Sequence, residues 1–192
     1  MHVFLCDFLL DIAQNSLEAD STLVQILISE TPESIRFRIE DNGKGMSEET
    51  QKKVTDPFYT DGVKHKKRKV GLGLPFVIQT GKDFSLNSSL GKGTVVQFSF
   101  DLTDIDVPPL GDLPSTILAI FSGAPDDCDV VVTREISSTH GDSGYKVSRS
   151  SLIEALGELR TAGSQNLARQ YLDGLEEDLK PYFSEHVFRI PE

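Results

Sequence analysis

An alternating stretch at residues 35–40 constrains the fold of this chain more than any other feature. Three apolar residues alternate there with three charged ones, in the order Ile35, Arg36, Phe37, Arg38, Ile39 and Glu40. Strict alternation of this kind predicts an antiparallel strand with one face buried and the other in water. A sheet of such strands needs helices on one side only, so we expect an α+β fold: a two-layer α/β sandwich with a mostly antiparallel sheet and helices on one face.

The other periodic segments supply the remaining parts of such a sandwich. Residues 3–19 predict a helix, because their apolar residues form a stripe along one side of it. Three segments predict further strands, at residues 22–29, 84–88 and 94–102. Two segments predict short helices, at residues 48–54, with Ser47 as the N-cap, and at residues 74–81.

Residues 103–114 are rich in proline and glycine, and this composition predicts a linker. The chain would then consist of a first domain at residues 1–102 and a small acidic C-terminal α/β appendage of unknown role at residues 115–192. In the appendage we expect strand-like segments at residues 115–122, 129–136 and 145–148, followed by helices from about residue 151 and about residue 166.

The formal net charge of -11 is concentrated in the C-terminal part of the chain. Residues 1–102 hold 12 Lys and Arg against 14 Asp and Glu, whereas residues 103–192 hold 7 against 16. The acidic part repels nucleic acids and anionic membranes, so we expect neither as a partner. No apolar run is long enough to span a bilayer, and the start does not resemble a leader peptide. The two cysteines lie far apart, which favours reduced thiols in a cytoplasmic protein.

The segment DNGKGM, at residues 41–46, directly follows the alternating strand. The carboxylate of Asp41 could accept a hydrogen bond from an exocyclic amine, which is one way to select adenine over guanine. Gly43 and Gly45 would let the backbone approach a flat ligand closely, beside Met46. Taken alone, the segment is more typical of an ordinary Asp-Asn-Gly turn.

Two glycines, Gly71 and Gly73, precede an apolar helix in the segment GLGL. Their amides and the N-terminus of the helix can form a site for an anion. The segment lacks the third glycine of the dinucleotide-binding fingerprint, and the chain contains no P-loop motif. Taken alone, it also fits a tight join between a loop and a helix.

Five of the six residues from Lys64 to Lys69 are cations, immediately before these glycines. Most charge runs are solvated loops, and that alternative applies here as well. The position beside the candidate anion site favours a lid whose cations, among them Lys66 and Lys67, face phosphates. Phe58 and Tyr59 would anchor the near end of this lid.

Asp11 and Asn15 are four residues apart and share one face of the first helix. The amide oxygen of Asn15 would suit Mg²⁺, which takes oxygen ligands and keeps several waters. Asp11 could orient or deprotonate an attacking water or hydroxyl group. The alternative is a solvated polar stripe on a surface helix.

The order of these motifs resembles that of the Bergerat-fold ATPases, the family of histidine kinases, type II topoisomerases, a heat-shock ATPase chaperone and mismatch-repair ATPases. DIAQNSLEAD is similar to the N box of the family, DNGKGM to the first glycine box, DPFYT to the F box, GLGL to the second glycine box and GKGT to the last. The F box followed by GLGL resembles the histidine-kinase branch in particular. The resemblance covers roughly residues 4–102.

The resemblance implies a site for ATP or ADP together with Mg²⁺. It implies that Asn15 coordinates Mg²⁺ and that Asp41 receives the adenine amino group. It also implies two surrounding sets of residues: Gly43, Gly45, Met46 and Thr94 near adenine, and Gly71, Leu72, Gly73 and Leu74 near the phosphates. Residues 64–69 would belong to the ATP lid.

Two departures from the family pattern bear on activity. Hydrolytic branches have Glu where this chain has Asp11, one methylene shorter, and this disfavours fast hydrolysis. Only 14 residues precede Asn15, too few for the helical hairpin that carries the phosphoacceptor histidine of a sensor kinase. None of the four histidines has a suitable context for that role.

These features favour an ATP-dependent, kinase-like enzyme that phosphorylates or regulates a separate protein in trans, with the acidic C-terminal part as its docking region. The alternative is a slow ATPase that works as a nucleotide-operated conformational switch without phosphotransfer. A third interpretation is a binding module with a degenerate pocket. The protein partner and the oligomeric state stay open, a homodimer included.

Overall fold

The computed structural model describes residues 4–54 and 73–183. The α-helices of these residues are Leu5–Leu17 (α1), Glu48–Val54 (α2), Gly73–Thr80 (α3), Leu113–Gly123 (α4), Arg149–Leu156 (α5) and Ala162–Leu179 (α6). The strands are Leu23–Glu30 (β1), Ser34–Asp41 (β2), Lys82–Ser89 (β3), Gly93–Asp101 (β4), Asp129–Ser138 (β5) and Gly141–Ser148 (β6). A short 3₁₀ helix, Lys180–Tyr182, follows α6.

The strands form one sheet in the order β3-β4-β2-β1-β5-β6. The neighbouring pairs are antiparallel except β1 and β5, which run parallel. The alternating segment is β2, and its apolar residues Ile35, Phe37 and Ile39 are each at most 1% exposed. Helices cover this buried face, whereas Arg36 on the other face is exposed. The predicted mostly antiparallel two-layer α+β fold is confirmed.

Stacked aromatic rings fill the space between α1 and the sheet. Phe8 on α1 stacks on Phe100 of β4 with ring centroids 5.8 Å apart. Phe37 of β2 stacks on Phe98 of β4 at 5.2 Å. Each such pair contributes about 0.5–1.5 kcal/mol beyond the apolar area that it buries. The aromatic layer therefore fixes α1 against the middle strands.

The sequence of α1 sets both its beginning and its orientation. The carboxylate of Asp7 accepts the N–H of Phe4 at 3.0 Å, which satisfies a backbone donor at the start of the helix. The apolar stripe of α1 is buried, and burial raises the pKa of the Cys6 thiol to about 12. Asp11 is half-buried and Asn15 is exposed, because they lie away from the centre of this stripe.

Residues 115–122 were expected to be strand-like, and that prediction is wrong because they belong to helix α4. The buried apolar residues of this segment recur at helical spacing: Leu113, Ile117, Ile120 and Phe121. The carboxylate of Asp112 accepts the N–H of Ser115 at 3.0 Å and caps the helix, and Pro114 occupies its first turn. The cap was not recognised in the sequence, because the dense run of apolar residues after Pro114 was interpreted as a strand.

The C-terminal segment extends the same sheet as the first half of the chain. β5 pairs in parallel with the whole of β1, and β6 follows at the edge. The stretch predicted to be a linker lies along the start of α1, where Leu5 and Cys6 donate their N–H groups to the carbonyls of Pro109 and Leu110, both at 2.9 Å. The division into functional units at residues 103–114 stays a prediction.

A buried ion pair joins β1 to β5. Arg134 on β5 is fully buried and pairs with the carboxylate of Glu30 at the end of β1, which is 3% exposed. The carboxylate of Glu176 on α6 lies 3.7 Å from the Nε atom of Arg134 and accepts the hydroxyl of Tyr145 at 2.8 Å. Burial and the adjacent Glu176 raise the pKa of Tyr145, so the hydroxyl stays a donor. This cluster ties α6 and β6 to the middle of the sheet.

Among the residues described, no helix combines the length and the apolar character needed to cross a membrane.

Candidate functional site

The side chain of Asp41 is the most buried carboxylate among the residues that the sequence singled out. It lies at the end of β2, between β1 and β4, and the residue is 6% exposed. Its Oδ1 atom accepts the N–H groups of Gly43 and Thr94, at 3.0 and 3.2 Å. Its Oδ2 atom accepts the hydroxyl of Ser16 on α1 at 2.9 Å. Three donors therefore offset the loss of hydration and fix the orientation of the carboxylate.

The hydrogen bonds leave Asp41 with acceptor capacity in one direction. A carboxylate oxygen has about two lone-pair positions, and both positions on Oδ1 are taken by backbone N–H groups. Among the described residues one donor, Ser16, reaches Oδ2, which leaves one lone-pair position on this oxygen for another N–H or O–H group. The residue is thus a pre-oriented acceptor.

The glycines around Asp41 allow three segments to pack closely. A Cβ atom on Gly43 would lie 2.4 Å from the carbonyl oxygen of Ala19, after α1. Gly45 has φ +61°, and its Cβ would lie 2.0 Å from the carbonyl oxygen of Ser89 on β3. The sequence interpretation assigned Gly43 and Gly45 to close approach by a ligand. The close contacts are with protein backbone. The absence of a Cβ atom at Gly43 and Gly45 therefore allows the loop after β2 to pack against the end of α1 and the β3–β4 hairpin.

Ser88 links two of the predicted residues and was not identified from the sequence. Its hydroxyl accepts the N–H of Met46 at 2.8 Å and shares a hydrogen bond of 2.9 Å with the hydroxyl of Thr94. Thr94 is 8% exposed, and its backbone N–H is already held by Asp41. The five residues predicted near one another, Asp41, Gly43, Gly45, Met46 and Thr94, therefore form one connected group.

The last two turns of α1 border this group. Ser16 is buried and contacts Asp41, whereas the preceding residue, Asn15, points outward and is exposed. Asp11 is half-buried one turn earlier on the same helix. No sequence signal distinguished Ser16 from other polar residues of the helix, because its role depends on the position of β2.

The remaining candidate residues are placed only in part. Gly73 begins α3, and Leu74 packs against the core. Six others lie outside the described residues: Phe58, Tyr59, Lys66, Lys67, Gly71 and Leu72. The predicted lid at residues 64–69 therefore stays a prediction.

Replacing Ser16 by Ala is expected to lower the free energy of unfolding by about 1–3 kcal/mol in urea titrations. The variant leaves the buried Asp41 carboxylate with one donor fewer, and hydrogen bonds to charged groups are the stronger ones. Ser29→Ala is the matched control, because the hydroxyl of Ser29 also donates to a carboxylate, Glu135, but at an exposed site. The control should change the free energy by about 0.5 kcal/mol or less. Equal losses in both variants would contradict the role given to Ser16.

Comparison with known proteins decides the family. Residues 2–104 match the sequence profile of the histidine kinase-, DNA gyrase B- and HSP90-like ATPases. The chain belongs to this ATPase family. The predicted family is thereby confirmed, and the Asp41 group lies within the matched residues.

One relative of this ATPase family member is much longer than the chain itself. A protein of Shewanella frigidimarina (strain NCIMB 400), whose assigned name is that of a sensor protein, is 32% identical over 105 residues. The match covers 51% of this chain and 16% of the relative, so the chain spans a small part of that protein.

Two solved structures are similar to this ATPase family member. The crystal structure of the N-terminal domain of a DNA repair protein has a TM-score of 0.53 and 16% identity, over 85% of this chain and 59% of that one. The Aquifex aeolicus MutL ATPase domain, complexed with ADP, has a TM-score of 0.47 and 18% identity, over 83% and 69% of the two chains. The first of these likenesses supports the fold assignment alone.

Proposed function

We propose that this chain binds ATP together with Mg²⁺ at the Asp41 group and uses the nucleotide to phosphorylate or regulate a separate protein in trans. The observation that carries the proposal is the buried carboxylate of Asp41, which three donors hold in place while one position on Oδ2 can still accept. Membership of the ATPase family, through residues 2–104, supports the choice of nucleotide.

Selection of adenine follows from the acceptor character of Asp41. Adenine presents an amino group at the position where guanine presents a carbonyl oxygen. A carboxylate that is fixed by other donors cannot turn to offer a donor, so it attracts the amino group and repels the carbonyl. Met46 and Thr94, held through Ser88, would form the surroundings of the base.

The oxygen donors on α1 fit Mg²⁺ when it is shared with phosphates. Mg²⁺ usually keeps several waters and takes one or two protein ligands together with substrate phosphates. The exposed amide of Asn15 offers one such oxygen, one residue from Ser16. Asp11, one turn earlier, would orient the attacking hydroxyl or water. When bound, Mg²⁺ would supply neutralisation of phosphate charge.

Phosphate binding would use the segment before α3 and the cations of residues 64–69. Gly71, Leu72 and Gly73 would offer backbone amides at the start of α3, and Leu74 would anchor that helix in the core. The family resemblance and the cluster of five cations support this part of the proposal.

Replacing Lys66 and Lys67 together by Ala should weaken the binding of ATP by roughly tenfold or more and leave the binding of adenosine unchanged. The reason is that these cations would contact phosphates and not the base. Calorimetric titration of the variant with each ligand measures both affinities. The control replaces two exposed lysines elsewhere, Lys146 and Lys180, by Ala. Equal losses for ATP and adenosine would mean that Lys66 and Lys67 are not phosphate ligands.

A conformational switch is the second candidate, and the contacts of α1 favour it. The end of α1 borders Asp41, whereas its start is hydrogen-bonded to Pro109 and Leu110, just before α4. A nucleotide that shifts α1 would therefore act on the C-terminal helices without any phosphotransfer.

Incubation with γ-labelled ATP distinguishes the two candidates. Label on a protein of an added cell lysate, lost in Asn15→Ala, supports transfer in trans. Slow release of phosphate without any labelled protein, also lost in Asn15→Ala, supports the switch. No labelled protein and no released phosphate would contradict both.

A further inference from the structure

Helix α2 lies on the sheet without burying a side chain. All seven residues of α2 belong to the described part of the chain, and none of them is buried, although Gln51 and Val54 are half-buried. A helix as short as this one is marginal in water on its own, because few hydrogen bonds offset the cost of ordering its first turn. Segments that bury little apolar surface also open most easily in a native protein. The position of α2, which packs on β3, therefore depends strongly on polar contacts.

The side-chain amide of Gln51 makes two such contacts. Its Nε2 atom donates to the carbonyl of Ser88 on β3 at 2.9 Å and to the carbonyl of Met46 at 3.3 Å. Both partners are acceptors, so only the NH₂ end of the amide can face them. The N–H of Met46 donates to the hydroxyl of Ser88 at 2.8 Å. Both backbone polar groups of Met46 are therefore held, one by Gln51 and one by Ser88.

The hydroxyl of Ser88 extends this set of hydrogen bonds to Thr94. It lies 3.0 Å from the carbonyl oxygen of Gly93 and 2.9 Å from the hydroxyl oxygen of Thr94. The Gly93 carbonyl only accepts, so Ser88 donates its single proton there. The contact with Thr94 then requires the hydroxyl of Thr94 to donate to Ser88, which leaves the lone pairs of Thr94 available to a ligand beside Asp41.

We propose that Gln51 is a positioning residue that couples the binding of a base at the Asp41 group to the docking of α2 on β3. The coupling rests on the proposed nucleotide function. A base in the group fixes Thr94 and, through the hydroxyl of Ser88, the peptide of Met46. Gln51 on α2 donates to that same peptide. By linkage, a docked α2 raises the affinity for the base by the same factor as the base stabilises docking.

The loop after β2 is also held by hydrogen bonds that do not involve Gln51. The N–H of Gly91, in the β3–β4 turn, donates to the carbonyl of Lys44 at 2.8 Å. The N–H of Lys44 donates to the carbonyl of Ala19 at 2.8 Å. A substitution at Gln51 consequently acts on α2 and on the peptide of Met46, and it leaves the loop attached on both sides.

Hydrogen exchange measured by NMR tests the coupling, with adenosine as the probe because it contains the base without phosphates. Saturating adenosine should slow the exchange of the backbone amide of residue 51, which donates to the carbonyl of Ser47 at 2.9 Å, by roughly fivefold or more. In Gln51→Glu this protection should disappear, because a carboxylate cannot donate to the two carbonyls. The affinity for adenosine, measured by calorimetry, should fall by roughly fivefold or more as well.

The matched control is Gln165→Glu. The side-chain amide of Gln165 also donates to a backbone carbonyl, that of Leu159 at 3.1 Å, but near the start of α6. The control makes the same change of charge and removes the same kind of hydrogen bond. It should bind adenosine like the unchanged chain and keep the protection of α2.

Combination with Ser88→Ala distinguishes coupling from a local effect on α2. The alanine removes the hydroxyl between Thr94 and Met46 and keeps the carbonyl that accepts from Gln51. Gln51→Glu should therefore weaken adenosine binding much less in the Ser88→Ala background than in the unchanged chain. Additive losses in the double variant would overturn the proposal.

Failure of the coupling and failure of the nucleotide site give different results. An unchanged chain that binds neither ATP nor adenosine overturns both. An unchanged chain that binds adenosine, with protection of α2 that persists in Gln51→Glu or is never observed, overturns the coupling alone.

Discussion

Replacing Asp41 by Asn weakens the binding of ATP and of adenosine by a similar factor, on the order of 1.5–3 kcal/mol or roughly 10- to 150-fold. The amide has only one oxygen, and the N–H groups of Gly43 and Thr94 both require it at the Oδ1 position. The amino group then lies where Oδ2 was, so it faces the Ser16 hydroxyl and the incoming amino group of adenine. Calorimetric titration with both ligands measures the loss.

The matched control for Asp41→Asn is the same Asp-to-Asn substitution at an exposed position outside the candidate site. Asp142 also accepts a serine hydroxyl, from Ser137 at 2.6 Å, but on the exposed β5–β6 hairpin. Asp142→Asn should leave both affinities unchanged, and thermal melts should show that both variants are folded. An Asp41→Asn variant that is folded and binds ATP as tightly as the unchanged chain would contradict the adenine assignment.

Replacing Arg134 by Met is expected to lower the free energy of unfolding by about 3–5 kcal/mol, measured in urea titrations. The substitution fits a long apolar chain into the site but removes the guanidinium that pairs with the buried carboxylate of Glu30. Removing one partner of a buried ion pair lowers the free energy of unfolding by far more than the intact pair contributes to it, because the other charge remains desolvated. The loss should appear in one transition, since Arg134 joins β5 to β1.

Two further variants test the explanation for Arg134. Adding Glu30→Gln to Arg134→Met should recover part of the loss, because it removes the buried charge that Arg134 had offset. Arg36→Met is the exposed control: its guanidinium lies 3.8 Å from Asp83, both side chains are more than half exposed, and the expected change is about 0.5 kcal/mol or less. A loss below about 1 kcal/mol in Arg134→Met would show that the pair is not what holds β5 in place.

The sequence predicted those parts of the fold that depend on local periodicity. Alternation identified β2, the apolar stripe identified α1, and Ser47 was rightly placed as the cap of α2, since its hydroxyl accepts the N–H of Thr50 at 3.2 Å. In α4 the same reasoning failed. There, almost every residue is apolar or small, so the helical spacing of the buried ones was hidden and only the cap at Asp112 could have revealed it.

Pairing between distant segments was beyond the reach of sequence patterns. β5 lies beside β1 although about a hundred residues separate them, and a strand's periodicity does not identify its neighbour. The same limit explains why the C-terminal segment was expected as an appendage and not as a continuation of the sheet. Nothing local in residues 129–138 indicates which edge they join.

The residues of the candidate site likewise fall into those that the sequence could reveal and those that only the fold reveals. Asp41 and Thr94 could be identified because each lies in a short motif with a recognisable order along the chain. Ser16 and Ser88 could not, because a serine becomes important only when the fold brings a buried partner within hydrogen-bond distance. Ser16 connects α1 to Asp41 and Ser88 connects Met46 to Thr94, so both were needed to see the group as one unit.

Calorimetric titration of the unchanged chain with ATP, ADP and GTP, each with Mg²⁺, tests the nucleotide site most directly. The orientation of Asp41 predicts that ATP and ADP bind with dissociation constants below about 1 mM and that GTP binds at least roughly tenfold more weakly. Equal affinity for ATP and GTP, or no binding of either at millimolar concentrations, would contradict it.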